Sequence, residues 1–526
     1  MTMHLEQNFL ESINPATGEK IGSVPISSNN DVENFYKKAK KTFESWKKIP
    51  LEERIKLMKK AKRIILETKD EIAELITLET GKPLMESFSS DIYATIDALT
   101  YYIKNTKKIL KKEKIKFYQP FLWGKKAWIE YEPLGPLAVI SPWNYPFIIP
   151  LATIIPAVLA GNTILFKPSE YTPLTGKKIK DIFDIAGFPD GVLNILYGGA
   201  EIGKAIIKTP VRKVFFTGST ITGKEIMKTC ANSLKPFVFE LGGKDSMIIL
   251  KDADLDFTVD GALFGSLFNC GQTCGSAERI FIEEDIVEEF IEKLKSKLEK
   301  LEIGDGINEN IEIGPIQNPQ QYNKVKEHLT DSLDNGAKII IQMKNTNLNK
   351  LFFPPVILTD LKPDIKSMTE ETFGPLIRII PVKNWEEAVR LSNSSKMGLS
   401  ASIWTKNIPL ARKIAKQLEV GTVWINNILY SFNAMQCPWG GVKESGIGRV
   451  HAKYGLLETV NPKLICIEKQ RKKGEFWWYP YTKDKVEMLK KGLDFIFGKG
   501  ILKKIRLIPA MLKWFCLLYT SPSPRD

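Results

Sequence analysis

Two side chains in this sequence are suited to covalent chemistry as a pair. Cys274 stands in FNCGQTCGSAER, and Glu240 stands in FELGGK. A thiolate is a strong nucleophile, and a mechanism built on one needs a base. The chain has three histidines, His4, His328 and His451, and they are scattered. A Ser/His/Asp triad or a histidine-rich metal site is therefore not expected, which makes Glu240 the candidate base. Gly271, Gln272 and Gly275 flank Cys274 in a loop expected to lead into a helix, whose N–H dipoles would lower the thiol pKa. Val238 and Phe239 put Glu240 at a strand end, and Gly242 and Gly243 leave room for a ligand beside it. Cys270 lies four residues before Cys274. This C-x-x-x-C spacing has no second pair or nearby histidine to complete a zinc set, so no metal is expected. On these residues alone, a packed thiol and a surface-loop glutamate remain alternatives.

Two other segments suit a nucleotide. GSTITG (Gly218 to Gly223) follows a strand and opens a helix, where backbone N–H groups favour an anion. Thr220 replaces the middle glycine of the usual dinucleotide fingerprint, so an ordinary helix cap by Ser219 competes with this reading. KPSE (Lys167 to Glu170) ends a long strand, where a lysine and a carboxylate suit ribose hydroxyls in a crevice, or else form a solvated loop.

The elements that must position these groups are legible around them. Pro133 to Phe166 is a run of 34 residues without a charge, long enough for a membrane helix. It contains six prolines, each costing a helix interior about 3 kcal/mol. A buried strand (LAVIS), a turn (PWNYP), a buried helix (FIIPLATIIPAVLAG) and a second strand (TILFKPS) fit better. GVLNILYG, VRKVFFTGS and the strand pair in PFVFELGGKDSMIIL continue the alternation. Short apolar strands alternating with helices predict an α/β protein with a doubly wound sheet. Residues 31–80 and 84–111 instead read as long amphipathic helices.

PWNYP, KPSE, FTGS, ELGGK, GQTC, EETFGP and PWGGVKESGIGR occur in the order of the aldehyde dehydrogenase superfamily, which the chain resembles over about residues 10–465. The resemblance implies two Rossmann-like α/β domains with a protruding oligomerisation hairpin. It implies Cys274 as nucleophile, Glu240 as general base, and Asn144 as an oxyanion donor with the Cys274 backbone N–H. It implies Lys167 and Glu170 at the adenosine ribose, Gly218 and Ser219 at the pyrophosphate, Glu371 and Phe373 at the nicotinamide side, and Trp143 beside the cofactor. Trp439 would line the aldehyde tunnel. The implied activity is oxidation of an aldehyde to a carboxylic acid with hydride transfer to NAD, through a thioester hydrolysed by Glu240-activated water. Glu170 would repel a 2′-phosphate, which favours NAD, with NADP still admitted through Lys167. A CoA-acylating enzyme and a catalytically silent NAD-binding or membrane-surface protein are the alternatives. The presence of Glu240, and of Cys274, Glu240 and Asn144 together, argues against them.

The pattern has departures. Ile221 stands in the turn where many relatives carry glutamate. Arg279 is read as structural, and no arginine adjoins Cys274. With Trp439, Phe264, Phe268 and Tyr145 in the tunnel segments, this points to an apolar aliphatic or aromatic aldehyde. The resemblance places the cofactor domain at residues 1–112 and 133–244 and the catalytic domain at 245–445. It gives 113–132 and 446–468 to oligomerisation, as a homodimer or homotetramer.

Composition bounds the rest. The 526 residues are 43% hydrophobic with six cysteines, which excludes a disordered chain and a disulfide scaffold. Met1 to Leu10 lacks a leader pattern, so a cytoplasmic location is expected. The net charge of +14 is concentrated: residues 463–526 hold 15 Lys+Arg against 6 Asp+Glu. In this tail Val486, Leu489, Leu493, Ile496, Ile501, Ile505, Ile508, Leu512 and Phe515 recur at near-helical spacing among lysines. That is the pattern of an interfacial amphipathic helix, giving a peripheral membrane contact. Docking on the enzyme's own surface is the alternative, and nucleic acid is not expected. Residues 469–526 form this basic tail. Its last eleven residues, CLLYTSPSPRD, read as a translated adapter or assembly remnant.

Overall fold

The structure is a computed structural model describing residues 9–119, 122, 124–344, 351–468, 475, 477–502, 504–509 and 512. His4, Phe515 and the final eleven residues lie outside the described residues. The chain divides into two units. One comprises the residues up to Ile109 together with Glu132–Asn461; the other comprises Leu110–Tyr131 and the chain from Pro462 on.

In the larger unit, helices α1 (Asn29–Trp46), α2 (Leu51–Glu67) and α3 (Lys69–Thr80) come first. A reciprocal cap between Ser28 and Asp31 starts α1, satisfying two backbone donors at once. Left-handed Gly81 ends α3. The helix expected over 84–111 is regular only as α4 (Ala94–Ile109), because Ser87–Tyr93 forms a π-helical turn. The physical reason is Asp91. Its buried carboxylate accepts the Phe147 and Ile148 N–H groups at 3.2 and 3.1 Å, capping the next helix, and pairs with Lys82 at 2.9 Å.

The apolar stretch folds as β1 (Pro136–Ile140), α5 (Ile148–Ala160) and β2 (Thr163–Lys167). Helix α5 is buried around nearly its whole circumference, which explains its uniform hydrophobicity without a membrane. Among the described residues, no helix is long and apolar enough to cross a membrane. Strands β3 (Leu193–Ile195), β4 (Val214–Thr217) and β5 (Phe237–Glu240) complete a parallel sheet in the order β5-β4-β1-β2-β3. Strand order therefore reverses between β1 and β4. Ligands of doubly wound sheets bind at the carboxyl ends of the strands at such a switch point.

The second sheet contains β6 (Ser246–Ile249), β7 (Arg279–Glu283), β8 (Lys338–Gln342), β9 (Val356–Thr359), β10 (Leu376–Val382), β11 (Ser400–Trp404) and β12 (Thr422–Ile425), in the order β8-β9-β10-β7-β6-β11-β12. Only the edge strand β8 is antiparallel in it. β5 and β6, expected as a strand pair, belong to different sheets. The ELGGK segment between them leaves one sheet and enters the other. Its glycines pass so close to neighbouring chain that it cannot fold back: a Cβ on Gly243 would lie 2.3 Å from the Cys274 carbonyl oxygen. β13 (Gly446–Ile447) pairs antiparallel with β5 and closes the first sheet.

In the smaller unit, Glu113–Ile115 and Lys126–Pro133 pair as an antiparallel hairpin, and Val460–Ile467 adds a third strand. The tail carries a helix at Lys483–Phe497. Thr482 caps it, its hydroxyl accepting the Lys485 N–H.

Candidate active site

Cys274 follows helix α6 (Leu255–Leu267) and a tight turn at Phe268–Gly271, and its loop runs on into strand β7. The expected helix after the cysteine is absent, so no helix dipole acts on the thiol. Burial instead pushes the thiol pKa well up, and the carboxylates of Glu240, Asp245 and Glu371 add to the shift. Asn269 and Cys270 both lie at positive φ, so two successive non-glycine residues hold a sparsely populated conformation just before the nucleophile loop. Cys270 is buried in that turn, a packed side chain.

The loop is tied down by hydrogen bonds. Asn144, just past β1, donates its amide to the Gln272 carbonyl at 3.1 Å. The Asn144 carbonyl accepts from Lys82 Nζ at 2.6 Å and from the Asn269 amide at 3.1 Å. Lys82 also lies 4.0 Å from the centroid of the Tyr145 ring. Glu86 accepts the Asn269 N–H at 2.9 Å, and burial pushes its carboxyl up to about 8.

Glu240 ends β5, fully buried, and neither carboxylate oxygen has a hydrogen-bond partner among the described residues. Burial raises its pKa to about 8, and Arg449 holds it partly back. Glu371 accepts the Gly243 N–H at 2.9 Å. Phe373 adopts a positive φ of 57° and meets Trp143 edge-on, with ring centroids 5.6 Å apart. Glu278 supports this turn by accepting the Thr372 and Phe373 N–H groups at 2.9 and 2.8 Å. Burial alone would raise the Glu278 pKa, yet Lys244 and Arg378 hold it down at about 2. Arg279 bonds the Lys244, Leu391 and Ser392 carbonyls, the structural role expected of it.

Two cavities meet at Cys274. The first, about 180 Å³, is lined by Trp143, Asn144, Gly218, Ser219, Glu240, Glu371, Phe373 and Trp439 as well as Cys274. It opens at the switch point between β1 and β4. Ser219 caps the helix Thr220–Ala231 by accepting the Thr222 N–H at 3.2 Å, and the helix's first turn offers the unspent N–H groups that a phosphate needs. Lys167 and Glu170 do not line this cavity. They sit together at the end of β2, the neighbouring strand, with Nζ 3.4 Å from the carboxylate.

The second cavity, about 680 Å³, runs from Cys274 past Tyr145, Phe268 and Trp439 to Phe264, Met85 and Tyr430, which are exposed. Its carboxylic lining consists of Glu86, Asp260 and Glu312; it contains no lysine, arginine or histidine. All four aromatic residues expected in the tunnel line it. Sequence reasoning missed Lys82, Glu86, Asp91, Glu278 and His451. Only a charged residue's burial marks these positions, and burial is invisible in a linear sequence. Among the described residues, no group of acidic, histidine and cysteine side chains is arranged to hold a metal ion.

A cysteine between a switch-point crevice and an apolar tunnel suits covalent catalysis on an apolar substrate beside a nucleotide. Residues 3–465 match the model of the aldehyde dehydrogenase family, and the chain belongs to it. It is an oxidoreductase that converts an aldehyde to a carboxylic acid. It is similar to 4,4'-diapolycopene aldehyde oxidase of Methylomonas sp, with 36% identity over 492 residues, 93% of this chain and 92% of that protein. It is also similar to the mitochondrial succinate-semialdehyde dehydrogenase of Oryza sativa subsp. japonica, with 35% identity, 87% of this chain and 86% of that protein. The NAD+ complex of aldehyde dehydrogenase from Bacillus cereus superposes with a TM-score of 0.84 at 33% identity, covering 88% of this chain and 94% of that one.

Proposed function

We propose that this enzyme oxidises an apolar aldehyde, with Cys274 as nucleophile, Glu240 as general base and NAD as hydride acceptor. The observation that carries this reading is the position of Cys274 at the junction of the two cavities. The aldehyde enters through the apolar cavity; Glu240 takes the Cys274 S–H proton and releases it to solvent, and the sulfur bonds the carbonyl carbon as the C=O electron pair moves to oxygen. The oxyanion is held by the Asn144 amide and the Cys274 N–H, donors worth roughly 2.7–4 kcal/mol each in such sites. The hydride on that carbon would pass to NAD bound in the first cavity, leaving the thioester on Cys274. Gly218 and Ser219 would hold its pyrophosphate, Lys167 and Glu170 its adenosine ribose, and Glu371, Phe373 and Trp143 its nicotinamide end. The switch-point crevice supports this fit. Glu240 then takes a proton from water, which attacks the thioester carbon; the C–S bond breaks and the acid leaves.

The lining of the second cavity supports an apolar substrate. A substrate carboxylate would meet acidic side chains there and no cation, although succinate-semialdehyde dehydrogenases are among the relatives. The test is NADH formation from octanal, benzaldehyde and succinic semialdehyde. Octanal or benzaldehyde should win on kcat/KM, and Cys274→Ala should abolish all turnover. A preference for succinic semialdehyde would overturn the substrate reading, and activity surviving Cys274→Ala would overturn the mechanism.

The tail reads as a peripheral contact with anionic lipid. In α7 (Lys483–Phe497), Val486, Leu489, Leu493 and Phe497 are about half exposed or more, at helical spacing and among lysines. A match over 93% of the chain must extend into this tail, beyond the family model's end at residue 465. Co-sedimentation with phosphatidylserine vesicles, lost on removing residues 483–526, is the expected result; equal binding without them would end this reading. The exposed edge strand Glu113–Ile115 supports self-association through the hairpin sheet, as a dimer or tetramer.

A further inference from the structure

His451 is a buried polar residue for which the steps above have no use. It is 1% exposed, and neither ring nitrogen has a hydrogen-bond partner among the described residues. It lines the first cavity together with Cys274 and Glu240. Of the residues lining that cavity, Glu240 and His451 are the two with buried side-chain atoms lacking partners. Buried polar groups are nearly always paired, and an exception calls for a ligand or a water.

The backbone adds a second observation. His451 sits at φ 64° with ψ 175°, and Ala452 at φ 50°, two successive non-glycine residues at positive φ. Such strain persists where the surroundings fix it, and it collects at functional sites. Here Val450 exchanges both backbone hydrogen bonds with Trp439, at 2.9 and 3.0 Å. Phe432 packs on the imidazole, with ring centroids 5.0 Å apart. Gly440, next to Trp439, passes beside Glu240: a Cβ there would lie 2.8 Å from Glu240 Oε1. One short bridge thus fixes the histidine and borders the carboxylate.

We infer that His451 is a second hydrogen-bonding partner of the water that hydrolyses the Cys274 thioester. Glu240 accepts the proton that the water loses, and the bare imidazole nitrogen accepts its other O–H. That second bond turns a water lone pair toward the thioester carbon. The O–C bond forms, the C–S bond breaks, the thiolate recovers a proton from Glu240, and the O–H held by His451 stays on the carboxylic acid. Burial holds the imidazole pKa down at about 3, so one nitrogen remains free to accept.

The inference rests on Glu240 as base, so the experiment treats both residues in parallel. In single turnovers with full-length enzyme in excess over octanal and with saturating NAD, NADH reports hydride transfer. Intact mass after acid quench reports acylated Cys274. Acyl loss is read as the first-order decay of the acylated fraction, which misfolded enzyme never enters. His451→Leu should form NADH at the unaltered rate and lose its acyl group about 10- to 100-fold more slowly, the scale of one buried hydrogen bond. His451→Gln, whose amide oxygen can accept, should recover part of that loss. Hydrolysis at the wild-type rate in His451→Leu, an equal loss in NADH formation, or identical Leu and Gln variants would overturn the inference. If Glu240→Gln also hydrolyses normally, the base assignment itself fails.

Discussion

Gly243 offers a test in which geometry alone sets the magnitude. A Cβ at this position would lie 2.3 Å from the Cys274 carbonyl oxygen and 3.1 Å from Asp245 Oδ1. Gly243 does not occupy a positive φ, so alanine suits its backbone and the contact is the whole perturbation. Ordinary contact lies near 3.4 Å. Gly243→Ala must therefore displace the peptide following the nucleophile by about 1 Å, and a misplacement of that size costs about 100-fold in rate. Overpacking of this kind also costs about 1–3 kcal/mol of stability. The assay is kcat for NADH formation from octanal, with a denaturation midpoint for each variant. Gly199→Ala is the control, because nothing lies within 4 Å of the position its Cβ would take. Gly243→Ala with wild-type kcat would refute the claim that this approach fixes the nucleophile.

Thioester hydrolysis should rise with pH. Glu240 must be ionised to accept a proton, and its pKa is raised to about 8, so only about one-tenth is active at pH 7. Single-turnover decay of acylated Cys274 should climb about tenfold from pH 6 to 7 and level off above about pH 9. A flat profile would contradict this. Lys82→Met removes one member of a fully buried ion pair and strands Asp91, which should cost about 3–5 kcal/mol in denaturant unfolding. Because Lys82 also holds the Asn144 carbonyl, kcat should fall with it. Tyr430→Arg puts a cation at the exposed mouth of the tunnel and should raise kcat/KM for succinic semialdehyde relative to octanal; an unchanged ratio would show that tunnel charge does not govern selection.

The alternation of apolar runs made the first doubly wound sheet legible, because strands covered on two faces cannot look like anything exposed, while the second was expected from the family resemblance alone. The prolines of Pro133 to Phe166 separated strand from span correctly. What failed depended on partners distant in sequence. The π-helical turn exists because Asp91 reaches the N-terminus of α5, and the periodicity around it cannot report that reach. The helix expected after Cys274 was inferred from its glycines. Those glycines instead serve close packing: a Cβ on Gly271 would press on the Gly374 carbonyl and one on Gly275 on Leu429. Cys274 and Glu240 stand in local motifs that a linear sequence displays, whereas Lys82, Glu278 and His451 are marked only by their burial.

The meeting of two cavities at one sulfur has a kinetic consequence. On the proposed assignment, cofactor in the first cavity and substrate in the second approach Cys274 from different sides, so neither has to clear the other's path. The structure therefore imposes no compulsory order of departure: the acid can leave by the apolar side while the nucleotide remains, or follow it. The exchange rate of each product is then set by its own exit. A slowly released apolar acid would not hold the nucleotide in place.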